Sequence, residues 1–177
     1  MTTPENRLYL PNEAATDALG ARIADLALCE LNQHATRMDK DPQRESGISI
    51  HLEGDLGAGK TTFARAFLRR CGVAGRIKSP SYALLESYKV SSLYFYHIDF
   101  YRFSDPREWE DVGFRELFRA DSVVLIEWPE KAVGHLAAPD LLVSLQTEDE
   151  GRSATLRAQT ERGQQWIETI RSKPPPP

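Results

Sequence analysis

Cysteine is scarce in this sequence, and a long apolar run is missing altogether. The two cysteines, Cys29 and Cys71, lie on segments with a helical pattern and without the spacing of metal ligands. We expect both to be buried, reduced thiols and not zinc ligands. No apolar stretch approaches the roughly 18 residues that a membrane-spanning helix needs. The first 20 residues carry three acidic side chains, which argues against a secretory signal. A cytoplasmic location without membrane contact is therefore expected.

An excess of positive charge is missing as well. The 22 lysines and arginines are outnumbered by 26 acidic residues, which gives a net charge of −4 and an isoelectric point near 5.6. This balance provides no broad electropositive footprint for nucleic acid. Tight RNA binding by this chain alone is thus disfavoured, although a local basic patch remains open.

The length and the apolar content are those of one ordinary globular domain. The chain has 177 residues, of which 41% are hydrophobic, enough for a sizeable core. We expect residues 1–172 to form this domain. Residues 173–177, a lysine followed by four prolines, are expected to be a disordered tail or a semi-rigid spacer.

Residues 54–61 are the most informative segment of the chain. They read Gly-Asp-Leu-Gly-Ala-Gly-Lys-Thr, the phosphate-loop pattern of a glycine, any four residues, and then Gly-Lys-Thr. Glycines allow positive φ angles, so the backbone N–H groups can wrap a polyphosphate. Lys60 would then reach the β- and γ-phosphates, and the Thr61 hydroxyl would bind Mg²⁺. The pattern predicts a protein that binds ATP or GTP.

The segments on either side of the loop match the strand and the helix that it needs. Residues 48–52 alternate between apolar and polar and predict a strand that runs into Gly54. Residues 62–70 favour a helix that stops at Gly72. The N terminus of this helix would direct free N–H groups and the positive end of its dipole at the bound anion.

The remaining pattern predicts an α/β fold: a single P-loop NTPase-like domain with a mixed central sheet flanked by helices. Residues 83–90 and 93–98 are typical of an antiparallel hairpin, and the apolar run 123–126 predicts a strand buried on both faces. The other expected elements are an edge strand at residues 8–10, helices over 13–31, 106–118 and 164–171, a strand pair over 139–147 and 153–158, and an exposed connection over 38–47.

Two acidic residues end predicted strands close to the loop. Glu127 directly follows the apolar run 123–126, and Asp99 follows the strand at 93–98. A nucleotide hydrolase needs a further acidic group near Mg²⁺ at such a position. Both are therefore candidate catalytic residues, while each carboxylate could instead cap a strand end or form a salt bridge.

Several polar residues nearby allow two interpretations. Ser79 and Ser81 lie on a proline-restrained turn, where a hydroxyl could hold Mg²⁺ or a water, or could bond its own backbone. Arg102 could contact a γ-phosphate or an acidic partner, or could pair with Asp105.

The choice of base is narrowed by an absence. Guanine-specific proteins carry an Asn/Thr-Lys-any-Asp segment, which does not occur in this sequence, so adenine nucleotides are favoured. Trp128 could stack on the base or simply pack. His51, His97 and His135 have no ligand spacing and are expected to be core or surface residues.

Four blocks of sequence can be compared with known families, and they lie in order at residues 52–63, 79–82, 99–102 and 126–130. Together they resemble the bacterial TsaE (YjeE) family of ATPases, which assist the synthesis of threonylcarbamoyladenosine in tRNA. The resemblance spans most of the chain. One departure lies at Ser81, where the family has threonine, but the hydroxyl is kept.

The resemblance implies a small P-loop fold and slow, Mg²⁺-dependent ATP hydrolysis that strengthens when TsaD-like and TsaB-like partner subunits assemble. It also implies that tRNA is contacted only indirectly, through those partners. By position, Lys60 is implied to bind phosphate, Thr61 and Glu127 to lie at the metal, and Asp99 to position the attacking water. The implied nucleotide-binding set is Asp55, Leu56, Gly57, Ala58, Gly59, Lys60, Thr61, Thr62 and Trp128.

Two other functions share this loop and stay open at the level of sequence. A small-molecule kinase should carry an arginine-rich lid over the phosphates, for which only Arg102 and Arg107 are obvious. A nucleotide-gated binding module would hold ATP with negligible turnover.

Overall fold

The computed structural model describes residues 5–36, 47–103 and 113–173. These residues form seven strands, three α-helices and two short 3-10 helices. The strands are β1 (Glu5–Leu10), β2 (Ile48–Glu53), β3 (Leu85–Val90), β4 (Leu93–Asp99), β5 (Ser122–Glu127), β6 (Leu141–Glu148) and β7 (Gly151–Ala158). The helices are α1 (Glu13–Thr36), α2 (Lys60–Arg70) and α3 (Glu161–Ser172), and the 3-10 helices span Phe114–Leu117 and Pro129–Ala132.

All seven strands belong to one sheet in the order β1-β7-β6-β2-β5-β4-β3. The pairs β6–β2, β2–β5 and β5–β4 at its centre are parallel. The pairs β1–β7, β7–β6 and β4–β3 toward its edges are antiparallel. The mixed sheet and its flanking helices confirm the predicted fold class, and the predicted hairpin is the pair β3–β4.

Strand β5 lies at the centre of the core. All six of its residues are buried. Val123 and Leu125 belong to a large apolar cluster that includes side chains of α1 and α2. Val124 and Ile126 belong to a second cluster around Phe100. Apolar side chains therefore cover β5 on both faces, as its continuous apolar run predicts.

A close contact between α1 and α2 fixes the position of the helix that follows the loop. A β-carbon at Gly20 in α1 would lie 2.7 Å from the carbonyl oxygen of Phe63 in α2. No residue with a side chain fits at that distance without a shift of one helix. Phe63 and Phe67 are fully buried in the large cluster, so packing in the core fixes the start of α2.

Three helix boundaries differ from those that the pattern predicts. Helix α1 continues past residue 31 to Thr36, and α2 begins at Lys60 inside the loop motif. Helix α3 begins at Glu161 because the Thr160 hydroxyl caps it and accepts a hydrogen bond from the Gly163 N–H at 3.2 Å. A threonine cap of this kind satisfies a backbone donor that the first turn leaves free.

The expectation for the cysteines is half wrong. Cys71 is buried, but Cys29 is exposed, since it lies on the outer side of α1. The predicted connection over 38–47 falls almost wholly outside the described residues, as does the helix over 106–118 up to residue 112. The prolines of the tail lie outside them too. Among the described residues, no helix is both long and apolar enough to span a bilayer.

One buried histidine makes the stability of the fold depend on pH. His51 in β2 is 5% exposed, and burial lowers its pKa from 6.5 to about 4. Between these values the unfolded chain binds a proton that the folded chain excludes. The free energy of unfolding should therefore fall as the pH falls from 6.5 to 4, by about 3 kcal/mol from this group.

Urea unfolding of the wild type and of His51→Leu at pH 7.5 and pH 4.5 measures this effect. The loss of stability on acidification should be smaller in the variant by about 2 kcal/mol or more. Equal losses in the two proteins would contradict the assignment to His51.

Candidate active site

The loop between β2 and α2 depends on glycine at its first position. Gly54 has φ of 138°, and a β-carbon there would lie 2.2 Å from the carbonyl oxygen of Leu145. Gly57 and Gly59 also have positive φ, and a β-carbon at Gly57 would meet no atom within 4 Å. The loop is thus tied to β6 at its start and opens to solvent at its middle.

Helix α2 presents its first turn directly at the loop. Gly59 is its N-terminal capping residue, and within the described chain no side chain caps the N–H groups of this turn. The first turn also carries no acidic residue. Free N–H groups and the positive end of a helix dipole together favour a bound anion.

Lys60 is folded back onto the loop. The residue is only 4% exposed. Its Nζ donates hydrogen bonds to the carbonyl oxygens of Gly54 at 2.6 Å and Asp55 at 2.8 Å. Nζ also lies 3.9 Å from the centroid of the Trp128 ring. Burial lowers the pKa of Lys60, and the carboxylate of Glu127 opposes that shift. The two carbonyl oxygens and the Trp128 ring thus hold the amine at the start of α2.

Thr61, Glu127 and His97 form a chain of hydrogen bonds across three elements. The Thr61 hydroxyl donates to Glu127, with Oγ1 lying 3.0 Å from Oε1 and 3.1 Å from Oε2. Nε2 of His97 lies 2.8 Å from the same Oε1. Glu127 is 2% exposed and His97 is fully buried. The carboxylate is thus fixed from α2 on one side and from β4 on the other.

Asp99 lies beside Glu127 because β4 and β5 pair in parallel, with these two residues as direct partners. Its Oδ2 accepts hydrogen bonds from Ser81 at 2.8 Å and Ser79 at 3.4 Å, and its Oδ1 accepts one from the Tyr101 N–H at 2.9 Å. Asp99 is 3% exposed. The two serine hydroxyls lie 2.6 Å apart. Both serine hydroxyls therefore contact the candidate site through Asp99, and their side chains are hydrogen-bonded to it and to each other.

Trp128 and Arg102 contact aromatic and cationic neighbours at the rim. The Trp128 ring packs against Tyr101 at 5.1 Å between centroids, and it lies over Lys60. Trp128 also has φ of 59°, a left-handed conformation that is uncommon for a tryptophan. The guanidinium of Arg102 lies 4.1 Å from the centre of the Tyr82 ring. Asp105, the alternative partner of Arg102, falls outside the described residues.

The structure brings the predicted site residues together. Lys60, Thr61, Asp99, Glu127 and Trp128 form one connected cluster at the carboxyl ends of β2, β4 and β5. Among the other predicted nucleotide-binding residues, Ala58 is buried and Leu56 is 77% exposed. These residues form the loop and the first turn of α2, and they are Asp55, Leu56, Gly57, Ala58, Gly59 and Thr62.

The contacts of two residues, His97 and Tyr101, were not expected from the sequence. His97 is a core residue, as predicted, but its ring is also hydrogen-bonded to Glu127. Tyr101 supplies a backbone donor to Asp99 and a ring contact to Trp128. His97 and Asp99 are two residues apart in β4, so they project from one face, and that spacing was the available signal.

The oxygen atoms at this cluster are of the kind that binds a hard cation. The hydroxyl and carboxylate oxygens of Thr61, Ser81, Asp99 and Glu127 are the kinds of ligand that Mg²⁺ takes. Within the described chain no group of three or more His, Cys, Asp or Glu side chains could hold a metal by itself. Mg²⁺ usually keeps several waters and takes only one or two carboxylates from the protein.

Comparison with known proteins gives consistent matches. The sequence model of the family described as Threonylcarbamoyl adenosine biosynthesis protein TsaE matches residues 10–155. The tRNA threonylcarbamoyladenosine biosynthesis protein TsaE of Haemophilus influenzae is 40% identical over 159 residues, which cover 90% of this chain and 93% of that protein. The protein of the same name from Rickettsia felis is 43% identical over 105 residues, which cover 58% of this chain and 60% of that protein.

A solved structure agrees in fold over nearly the whole length. The crystal structure of YdiB from Bacillus subtilis superimposes with a TM-score of 0.72 and 25% sequence identity, over 97% of each chain. The resemblance inferred from four sequence blocks is thereby confirmed at the level of the family. With most of its length matched by the family model and by a full-length relative, this chain belongs to the TsaE family of threonylcarbamoyl adenosine biosynthesis proteins.

Proposed function

We propose that this chain is a cytoplasmic subunit that binds and hydrolyses ATP with Mg²⁺ in support of threonylcarbamoyl modification of adenosine in tRNA. One observation carries the proposal: the lysine and threonine of a phosphate loop lie against two buried carboxylates at adjacent strand ends. The family supplies the biosynthetic role, since its relatives are named for threonylcarbamoyladenosine in tRNA. Adenine is favoured because the guanine-specific segment is missing from the sequence.

The residues of the site fit both ligands. The open backbone around Gly57 and the uncapped first turn of α2 offer N–H donors to phosphate oxygens. Thr61 and Glu127 offer oxygen atoms to the metal. When bound there, Mg²⁺ supplies positive charge that offsets the charge on the phosphoryl group during transfer. Trp128 covers Lys60 and so closes one side of the phosphate region.

The chain itself would contribute positioning and charge to hydrolysis. Lys60 would exchange its bonds to the loop carbonyls for bonds to phosphate oxygens and keep its charge beside them. Glu127, held by His97 and Thr61, would keep its carboxylate in a fixed orientation. Asp99, held by Ser81 and by the Tyr101 N–H, would accept a hydrogen bond from the attacking water. This division assigns the metal side to Glu127 and the water side to Asp99.

Partner subunits are part of this proposal. TsaD-like and TsaB-like proteins would carry the transfer to adenosine and would hold most of the tRNA. ATP hydrolysis by this chain would then reset the assembly, and it would be slow until the partners complete the site. The small-molecule kinase is not supported by the family match. Arg107, which it would need in a lid, lies outside the described residues.

Replacement of Lys60 by alanine should weaken ATP binding. The change removes a charged donor from the phosphates, which is worth about 1.5–3 kcal/mol and corresponds to about a tenfold to hundredfold loss of affinity. Isothermal titration with ATP and Mg²⁺ measures it. Lys131→Ala is the matched control, since Lys131 is an exposed lysine near the site. Equal losses in both variants would count against the assigned role of Lys60.

Replacement of His97 should act on the metal through Glu127. In His97→Leu the carboxylate loses a buried partner, and loss of a partner behind a metal ligand typically weakens metal binding about tenfold or more. The Mg²⁺ concentration for half-maximal hydrolysis should rise accordingly at saturating ATP. His97→Gln can still donate to Glu127 and should restore the wild-type value to within about threefold.

His51→Leu controls for the loss of a buried imidazole, because His51 lies in β2 and is not hydrogen-bonded to Glu127 among the described contacts. The Mg²⁺ requirement of this control should match that of the wild type. If His97→Leu and His97→Gln behave alike, the hydrogen bond to Glu127 has no role in metal binding.

Hydrolysis should increase when the partners are present. Phosphate release from ATP is measured with this chain alone, with the TsaD-like and TsaB-like subunits alone, and with all three mixed. The mixture should exceed the sum of the parts, and Lys60→Ala should abolish the increase. An absent increase with properly folded proteins would overturn the proposed coupling.

A further inference from the structure

A pocket lined by basic side chains lies between α2 and the chain segment that follows it. Its volume is about 500 Å³. We call it the basic pocket, and it is lined by Arg65, Arg69, Arg76, Ile77, Lys78 and Ser79. Four of these six residues are cations in a chain whose net charge is −4, so the pocket runs against the balance of the whole molecule.

The local fold concentrates these charges. Arg65 and Arg69 are four residues apart in α2 and therefore lie on one face of the helix. The chain then turns back through Gly72 and Gly75, both with positive φ, and places Arg76 and Lys78 beside that face. Like charges at this spacing destabilise a helix by a few tenths of a kcal/mol per pair. The fold therefore concentrates positive charge in one place at a small cost in helix stability.

The chain does not supply that negative charge in the part that the structure describes. No ion pair joins any of the four cations to an acidic side chain among the described residues. The adjacent Arg70, by contrast, is paired with Asp25 at 2.6 Å. Nε of Arg65 is buried and has no hydrogen-bond partner within the same part of the chain. Within the described residues, the four pocket cations therefore lack the carboxylate partner that Arg70 has.

The lining favours phosphate groups over a protein surface. Ile77 is the sole apolar residue among those that line the pocket, and it is 5% exposed. A protein partner normally brings an apolar core to an interface, and this pocket offers it no counterpart. Guanidinium groups instead match phosphate oxygens with paired hydrogen bonds. Three arginines and one lysine suit a phosphodiester chain, which presents successive negative charges.

We infer that the basic pocket binds backbone phosphates of RNA, and that tRNA is the RNA concerned. The choice of tRNA rests on the proposed function, whereas the phosphate chemistry rests on the pocket alone. The contact is local and sequence-independent, since its lining offers charge and no exposed aromatic ring for stacking. It departs from what the family resemblance implies, namely that tRNA is contacted only through partners, and it uses the local basic patch that the total charge left open.

Ser79 joins the basic pocket to the candidate active site. It lines the pocket, its hydroxyl lies 2.6 Å from that of Ser81, and both serines contact Asp99. A phosphate in the pocket would therefore lie one residue away from the group assigned to the attacking water. Binding of tRNA to the basic pocket should therefore also change the rate at which this chain hydrolyses ATP.

The test compares two double variants with the same total charge. Arg69→Gln with Arg76→Gln removes two exposed cations from the pocket. Arg70→Gln with Arg119→Gln removes two exposed arginines that are instead paired with Asp25 and Asp121. Binding of a full-length tRNA transcript to the intact chain is measured by fluorescence anisotropy from 50 to 300 mM salt, with thermal unfolding as the check on folding.

The pocket variant should bind tRNA about tenfold more weakly near 0.1 M salt, and its log–log dependence on salt should flatten by about 1.5, as expected for two lost phosphate contacts. The control variant should stay within about twofold of the wild type. Equal losses in both variants would show general electrostatics and overturn the inference. So would an absence of tRNA binding in the wild type.

Two further readouts separate this inference from the proposed function. Hydrolysis of ATP without RNA should be unchanged in the pocket variant, so a protein that hydrolyses ATP but does not bind tRNA refutes only the inference. Association with the TsaD-like and TsaB-like subunits is measured in the absence of RNA. If the pocket variant loses that association and not tRNA binding, the pocket is a protein contact and the inference is wrong.

Discussion

The parallel pairing of β5 with β2 on one side and β4 on the other is the constraint on which the rest of this structure depends. It places Leu52, Glu127 and Asp99 side by side at the carboxyl ends of these three strands. The phosphate loop leaves β2 at that end, so its lysine and threonine meet the two carboxylates. A slip of one residue in either pairing would turn every side chain of the shifted strand to the opposite face of the sheet. Both the site and the packing of the core would then be lost.

A buried carboxylate is stable in such a place only when its oxygens are satisfied. Glu127 meets this requirement with partners from two different elements, Thr61 in α2 and His97 in β4. The same hydrogen bonds that offset the cost of burial also fix the orientation of the side chain. Stability and preorganisation are therefore supplied by one set of contacts, and Asp99 repeats the arrangement with Ser81 and the Tyr101 backbone.

The sequence predicted the parts of this molecule that local rules control. The phosphate loop, the doubly buried strand, the hairpin and both strand-end carboxylates follow from motif, hydrophobic period and position in the chain. It did not predict what depends on distant pairing. The contact of His97 with Glu127 exists only because β4 and β5 lie in register, and the sequence does not state which strands are neighbours. The basic pocket escaped for a similar reason, since a net charge sums over residues that the fold separates. The exposure of Cys29 was missed because a mildly amphipathic helix leaves its buried face poorly defined.

The contact at Gly20 has a mechanical consequence. Two helices that touch backbone to backbone cannot slide past each other without a clash, and α1 and α2 are both anchored in the large apolar cluster. If the site binds a nucleotide as proposed above, a change of shape between nucleotide states would have to be absorbed elsewhere, in the chain that follows α2 and in the turn after β4. Those are the segments that carry Ser79, Ser81 and Tyr101. The helix pair would thus keep the start of the loop in place while those segments change.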